Sequence, residues 1–358
     1  MKKLILFELR KIFSKRLAII ALIGILLFSA LLSFSAYQNK YAFAPNGDQG
    51  SGKTAVELDK EIAAKYEGTL TDEKVQRMMS EFAPTSDLHG LNAVYLYQNA
   101  MQSAVFARFS DQNGNWNGLS VFDVFGDEEV KVGYVDGWLT ASRNMVKTFV
   151  ALALTVIIMI VPVFSGEYDG VDNIIMTSKY GKTKCATAKV IAGILTAIFA
   201  TVLVTAFDLL LALAFYGTEG LDCSILFAPR DYVEAFIPFN ITCGTLLKYQ
   251  ILLAFTCTLS VTGITLFLSA VSKNQIVALA STTAIFLFPV LLPITEVNPL
   301  FRLVGLLPIY HVLAVSLLSV DQMSNGILYA IWAIPTALLF LGIGTSISRR
   351  MFAKHQVS

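Results

Sequence analysis

Residues Leu17–Ala36 read LAIIALIGILLFSALLSFSA, twenty residues without a single charge. A helix needs roughly 20 mostly apolar residues to cross a hydrocarbon core, so this stretch alone predicts a membrane span. The segment before it, MKKLILFELRKIFSKR, carries six Lys/Arg. On a helical wheel Ile5, Leu6, Leu9, Ile12 and Phe13 share one face, and Lys3, Glu8, Arg10, Lys11 and Lys15 the other. That is the pattern of an interfacial helix, here residues 1–16, leading into the span. The apolar run exceeds the roughly 7–15 residues of a secretory h-region, and Ser33-Phe34-Ser35-Ala36 is a poor cleavage site, so the segment is expected to be retained.

The rest of the chain repeats the signal. Of 358 residues, 55% are hydrophobic and 15% charged, and the mean hydropathy is +0.63; these values belong to membrane proteins. A net charge of +1 offers no pull on nucleic acid, and none is expected as a partner. His89, His311 and His355 are scattered, and the four cysteines show no metal-ligand spacing, so neither a metal site nor a His-based catalytic centre is expected. An intramembrane enzyme would need acids, histidines or a Ser–Lys pair clustered at one depth; only Asp208 is a carboxylate inside a span.

Six stretches can cross: 17–36, 145–165, 189–216, 249–271, 275–293 and 326–348. Lys and Arg concentrate on the cytoplasmic side of spans. Fourteen of the 27 basic residues fall in four segments: Lys2 to Arg16, Lys179 to Lys189, Lys273, and Arg349 to Lys354. Six crossings put all four on one side. A seventh, through the apolar run Leu300–Leu318, would put the 349–358 tail outside. That run contains Arg302, Pro308 and His311. We therefore read 294–325 as an outer segment with a re-entrant or surface-lying helix, tolerated where protein covers it. The fold expected is an all-α polytopic membrane protein with six transmembrane helices, both termini cytoplasmic. Between spans one and two lies a mainly α, or α+β, extracellular domain (37–144).

Gly47–Thr54, GDQGSGKT, fits the phosphate-loop pattern G-x-x-x-x-G-K-[ST]. It follows the first span, so it lies outside, and no apolar strand precedes it. Thr54 with Glu57 instead reads as a capping box opening a helix, with the glycines as linker. Three helices are expected in the domain, Ala55–Tyr66, Asp72–Phe82 and Leu88–Phe109, with Val121–Phe125 and Val130–Val135 pairing as short strands. Its fifteen Asp/Glu against nine Lys/Arg form a solvated face or, alternatively, an acidic surface that attracts cationic cargo. Cys223 and Cys243 share the outer segment 217–248; spacing leaves their pairing as a disulfide open. Asp208 lies about 28 Å along its helix from Lys189. That leaves it either hydrated near the outer headgroups or facing a translocation path.

The connection 166–188 is the most informative part of the chain. Phe164-Ser-Gly-Glu167-Tyr-Asp-Gly170 leads into an expected short amphipathic helix, Asp169–Ser178. Ile174, Ile175 and Met176 are its apolar patch. Glu167, Asp169 and Asp172 stand near its start and Lys179 and Lys182 near its end, an order that suits the helix dipole. Such a helix either rests on lipid or docks into a partner.

Phe164, Glu167, Gly170, Lys182 and Lys189 stand near the positions of a Phe-x-x-Glu-x-x-x-Gly, basic residue, Lys pattern. In this the chain resembles the permease subunits of type-2 ABC exporters, as it does in its span count and basic N-terminus. The Pro often seen before the basic residue is missing here, and Lys182 replaces the commoner Arg. The resemblance implies that the 166–188 segment carries a coupling helix seated on a separate ABC ATPase. Glu167, Gly170, Asp172, Ile174, Ile175, Met176 and Lys182 would be its coupling residues. It also implies a second permease chain, and ATP and magnesium bound by the partner rather than here. The function then expected is outward export of an amphipathic or lipid-like substrate, such as an antimicrobial peptide, across a bacterial cell membrane. The alternative is a membrane sensor or scaffold whose outer domain binds a ligand.

Overall fold

The computed structural model describes residues 1–83, 99–167, 181–229, 240–292, 299–313 and 329–354. The charged N-terminus forms α1 (Lys2–Phe13). Lys15 takes an extended backbone and breaks it from α2 (Arg16–Gln38). In α2 only Ala18, Leu22, Ile25 and Ser29 are buried, a single stripe at helical spacing. Ile20, Ile23, Leu27 and Leu31 remain exposed on the other faces. A helix that is apolar on every side but buries one stripe is suited to lipid on the rest.

The segment 37–144, expected as the extracellular domain, begins with a hairpin, β1 (Tyr41–Phe43) against β2 (Gln49–Ser51), with Phe43 opposite Gln49. The phosphate-loop pattern therefore contains a strand. Gly47 turns the hairpin at φ 92° and Gly52 enters α3 (Lys53–Ala64) at φ 57°, values that favour glycine. The expected Thr54 cap is corrected. The helix starts before it, Gly52 is the capping residue, and no side chain caps the end. The Thr54 hydroxyl instead donates to the Ser51 carbonyl (2.9 Å) and accepts from its N–H (3.0 Å). Glu57 faces Lys53 at 3.5 Å.

After β3 (Gly68–Thr69), α4 (Asp72–Glu81) lies where expected, its first turn capped by Thr71. The third helix is shorter than Leu88–Phe109. It is α5 (Ala100–Phe109), because extended Asn99 caps it by accepting from the Gln102 N–H at 2.7 Å. The earlier part of that expectation lies outside the described residues. Val121–Phe125 is a helix, α6, not a strand: Ser120 and Asp123 close a reciprocal capping box, which satisfies two end donors at once. β4 (Lys131–Val132) pairs with β3 instead.

The domain is continuous with the long helices. α7 (Asp136–Ile160) starts inside it, well before Met145. Lys40, just past α2, lies 2.6 Å from Asp59 of α3 and also pairs with Asp136. Burial opposes the Lys40 charge, but the Asp136 and Asp59 carboxylates outweigh it and hold the ammonium above the ordinary lysine range. The segment after Tyr216, expected as a separate outer loop, packs into the same domain. The Ser224 N–H donates to Lys131 O (2.8 Å), Arg108 to Ala228 O (2.7 Å), and the Trp138 indole to Glu219 O (2.9 Å).

The remaining elements are α8 (Ala186–Tyr216), α9 (Cys243–Val271), α10 (Gln275–Leu287), α11 (Pro299–Val304), α12 (Pro308–Leu313) and α13 (Tyr329–Lys354). Four described helices are long and apolar enough to cross a membrane: α2, α7, α8 and α9 with their flanking turns. α9 is the hub, packing on α7, α8, α10, α12 and α13. Its hydroxyls are satisfied within the bundle. Thr258, Thr262 and Thr265 bond back to carbonyls four residues earlier, and Thr201 of α8 meets Thr258 at 2.9 Å. The expected single helix Leu300–Leu318 is two short ones, broken ahead of Pro308; residues 314–328 lie outside the described set. His311 is fully buried, its Nδ1 3.0 Å from Thr256 Oγ1. At 1.5 Å per residue that contact is about 20 Å along α9 from Cys243, so protein covers the segment at that depth.

Candidate functional site

The connection 166–188, expected on the cytoplasmic side, begins where α7 ends. Val161–Val163 tightens into a 3-10 turn with Pro162 at its start. The Ser269 hydroxyl of α9 then accepts the N–H groups of Phe164 and Ser165, each at 3.1 Å, and donates to the Val161 carbonyl at 2.5 Å. One side chain thus satisfies end groups that a terminating helix leaves open. A Cβ on Gly166 would stand 2.6 Å from the Pro162 carbonyl, so this tight exit requires glycine. It delivers Glu167 inward, 3% exposed.

On the far side of the connection, the π-helical turn Gly181–Cys185 feeds α8, and Lys189 sits in its first turns at 0% exposure. Its Nζ is 2.6 Å from Glu167 Oε1, 3.2 Å from Glu8 Oε2 of α1 and 3.0 Å from the Val163 carbonyl. The rings of Phe164 and of Phe352, from α13, close over it with centroids 5.9 and 6.0 Å away. Lys11 of α1 pairs with both carboxylates, at 3.3 Å from Glu8 and in a shorter contact with Glu167. The cluster is balanced, two lysines against two glutamates, and it joins α1, the exit of α7, the entry of α8 and the end of α13. Burial first, then the Lys189 charge, lowers Lys11 and Lys15 from the ordinary lysine range, with Glu8 opposing.

Two sequence expectations change here. Glu8 is not on the solvated face of α1; it is buried and paired. Glu167, expected to meet a partner protein, is buried and paired inside the chain with Lys11 and Lys189. The other coupling residues, Gly170, Asp172, Ile174, Ile175 and Met176, lie outside the described residues, as does the side chain of Lys182. The partnership of Glu8 with Lys189 was missed. The signal was present: a lone acid among the apolar and basic residues of α1, and a lysine at the mouth of an apolar helix.

Asp208 is 5% exposed, enclosed by α2, α7 and α8, not hydrated at the surface. Ser29 donates to its Oδ1, and its Oδ2 has no partner in the described structure. Ser33, Asn144, Met145 and Tyr216 border a cavity beside it of only about 10 Å³, too small for a cargo group.

Cys223 and Cys243 are free, buried thiols, although the Cys243 N–H donates to the Cys223 carbonyl at 3.0 Å. The Cys223 sulfur fills the space over Gly133, where a Cβ would stand 2.5 Å from it. Burial pushes the Cys223 thiol up to about 11, against about 8.5 for a free cysteine. The folded chain therefore binds more protons than the unfolded one between those values, and this group's contribution to stability falls as pH rises through that window. In a Cys243→Ser background, Cys223 should alkylate at pH near 8 about a hundredfold more slowly than a free cysteine, in proportion to its thiolate fraction. An ordinary rate would show that the thiol is not buried.

Comparisons of the chain with family models, with curated proteins and with solved structures gave no match.

Proposed function

We propose that this chain is the membrane subunit of an ATP-driven exporter whose ATPase is a separate polypeptide. The observation that carries the reading is a convergence. Phe164, Glu167 and Lys189, singled out on a linear pattern, meet around one buried ammonium. Both ends of the 168–180 connection are thereby fastened to each other and to α1. A push delivered to that connection moves α1, α7 and α8 together instead of bending a loose loop. On the outer side, Lys40, Asp59 and Asp136 carry the same motion into the extracellular domain.

In this reading α10 with its following turn and α13 supply a fifth and sixth span, and α11–α12 form the re-entrant segment. Both termini face the cytosol by the charge bias of the flanks, and the chain sits in a bacterial cell membrane. A partner ATPase docks on Ile174, Ile175 and Met176, and a second permease chain completes the path. The exposed bundle surface is aliphatic, which suits an amphipathic or lipid-like substrate. The pattern Gly47–Thr54 does not carry a competing assignment: the N–H groups of Ser51 and Gly52 are bonded to Thr54 and to the Lys40 carbonyl (2.8 Å), so neither is open to a phosphate.

The test is ATP hydrolysis by the chain purified with its bound partners. Ile175→Asp should lower the co-purifying activity about tenfold or more, as removal of a buried apolar anchor does at an interface, with the amount of folded chain unchanged. Activity intrinsic to the isolated chain would overturn the assignment. Undiminished partner activity in the variant would favour the sensor or scaffold reading.

A further inference from the structure

A cleft of about 360 Å³ opens between the cytoplasmic ends of α8 and α13, lined by Thr183, Ala186, Ser346, Arg349, Arg350 and Ala353. That volume is at the lower end of small-molecule sites, about 300–1,000 Å³. Among the described residues that line it, two guanidiniums and two hydroxyls are the polar groups, and none is an acid. Both arginines are exposed, and no carboxylate of the described residues pairs with either. Lys182 and Lys184 flank Thr183 in sequence. Adjacent guanidiniums with planar donor forks and no internal counter-charge match a phosphate in geometry and in sign.

The level of the cleft indicates where that phosphate comes from. Along α13, Leu339, Ile343, Ile347 and Met351 are exposed at four-residue spacing, one apolar stripe that runs past the arginines. Acyl chains facing this stripe would end in headgroups at the height of Arg349 and Arg350. Basic pockets between helix ends on the cytoplasmic side are suited to acidic headgroups. We propose that this cleft binds the phosphate of an acidic phospholipid of the inner leaflet. The bound lipid would tie the entry of α8 to the end of α13. This site rests on the topology of the proposed function, with both termini in the cytosol, but it needs neither a partner protein nor nucleotide.

The full chain, purified in detergent, is offered vesicles of phosphatidylcholine with or without phosphatidylglycerol, and retained lipid is counted by native mass spectrometry. Wild type should keep phosphatidylglycerol in preference. Arg349→Gln/Arg350→Gln should bind it about 30-fold more weakly, as expected for losing two basic residues near a charged surface. Arg349→Lys/Arg350→Lys should fall between them, and it tests the site even if the Gln pair folds poorly. Lys273→Gln, basic and outside the cleft, should match wild type. Equal retention by wild type and the Gln pair, or an equal loss in Lys273→Gln, would overturn the site. Displacement of the lipid by inorganic phosphate at matched concentration would overturn the lipid as the source and leave a free-phosphate site.

Discussion

Replacing Lys189 by Met is expected to destabilise the fold by about 3–5 kcal/mol, the scale on which a buried ion network fails when one partner is removed. Lys189 is fully buried and touches Glu8, Glu167 and the Val163 carbonyl. Met fills a similar volume against Phe164 and Phe352, so packing is largely kept. What is lost is the charge. Two carboxylates then have Lys11 as their one paired lysine, with Lys15 nearby, in a pocket that admits little water, and the carboxylates repel. The strain should show first where it is held least. Amide exchange in residues 2–13 and 161–167 should accelerate more than in the middle of α9, because locally opened segments exchange ahead of the core.

The sharper arm is the double variant Glu8→Gln/Lys189→Met. It leaves Lys11 against Glu167, balanced again. It should regain more than half of the lost stability, a coupling of the kind that neighbouring charges show in double-mutant cycles. Thermal unfolding of the two variants beside wild type decides the matter. If Lys189→Met melts with wild type, the cluster does not hold α1. If the double variant melts below the single one, charge imbalance is not the cause. A packed hydrophobic replacement can equal a buried ion pair in stability, so the cluster is better explained by the specific joint it makes than by energy alone. α1 is amphipathic and could lie on the membrane in many positions; the two glutamate–lysine contacts select one.

How much of this was legible in the chain depended on the range of the interactions. Local signals worked where one helix end or one apolar run decided the outcome. Tyr216 ends α8 because Gly217 follows at φ 73°. Asp72 opens α4 because Thr71 accepts the Lys74 N–H. Even the misread element carried its signal: Val121–Phe125 has strand-like residues, but Ser120 and Asp123 at capping-box spacing outweigh propensity over so short a span. The site was legible in part. Its pattern residues could be named, yet Glu8 is 181 positions from Lys189, and nothing local links them. The same holds for the segment after Tyr216. Its polar groups bond Lys131, Arg108 and Trp138, contacts that exist only after the helices bring the two segments together.

The crossing of α9 and α13 should be the most sensitive point in the bundle, and two glycines on one helix test it. Gly342 and Gly344 look alike in sequence. A Cβ on Gly342 would meet nothing within 4 Å, whereas one on Gly344 would stand 2.1 Å from the Gly263 carbonyl. From the other side, a Cβ on Gly263 would lie 2.3 Å from the Phe340 carbonyl. The obstruction in each case is backbone, which cannot rotate away, so the helices must part. Small residues permit such close approach inside membranes, where packing replaces the hydrophobic drive between helices. Gly344→Ala should therefore cost about 1–3 kcal/mol, the scale of overpacking, and Gly344→Val more, since the added branches push α13 further from the hub. Gly342→Ala should be neutral or stabilising by up to about 1 kcal/mol, the helix propensity gained over glycine. Because α13 also carries Phe352 into the Lys189 cluster, Gly344→Val should speed exchange in α1 as well, although the two sites share no direct contact. Equal melting of Gly342→Ala and Gly344→Ala would mean that α13 does not cross α9 at Gly263, and the joint between hub and cluster would have to be drawn elsewhere.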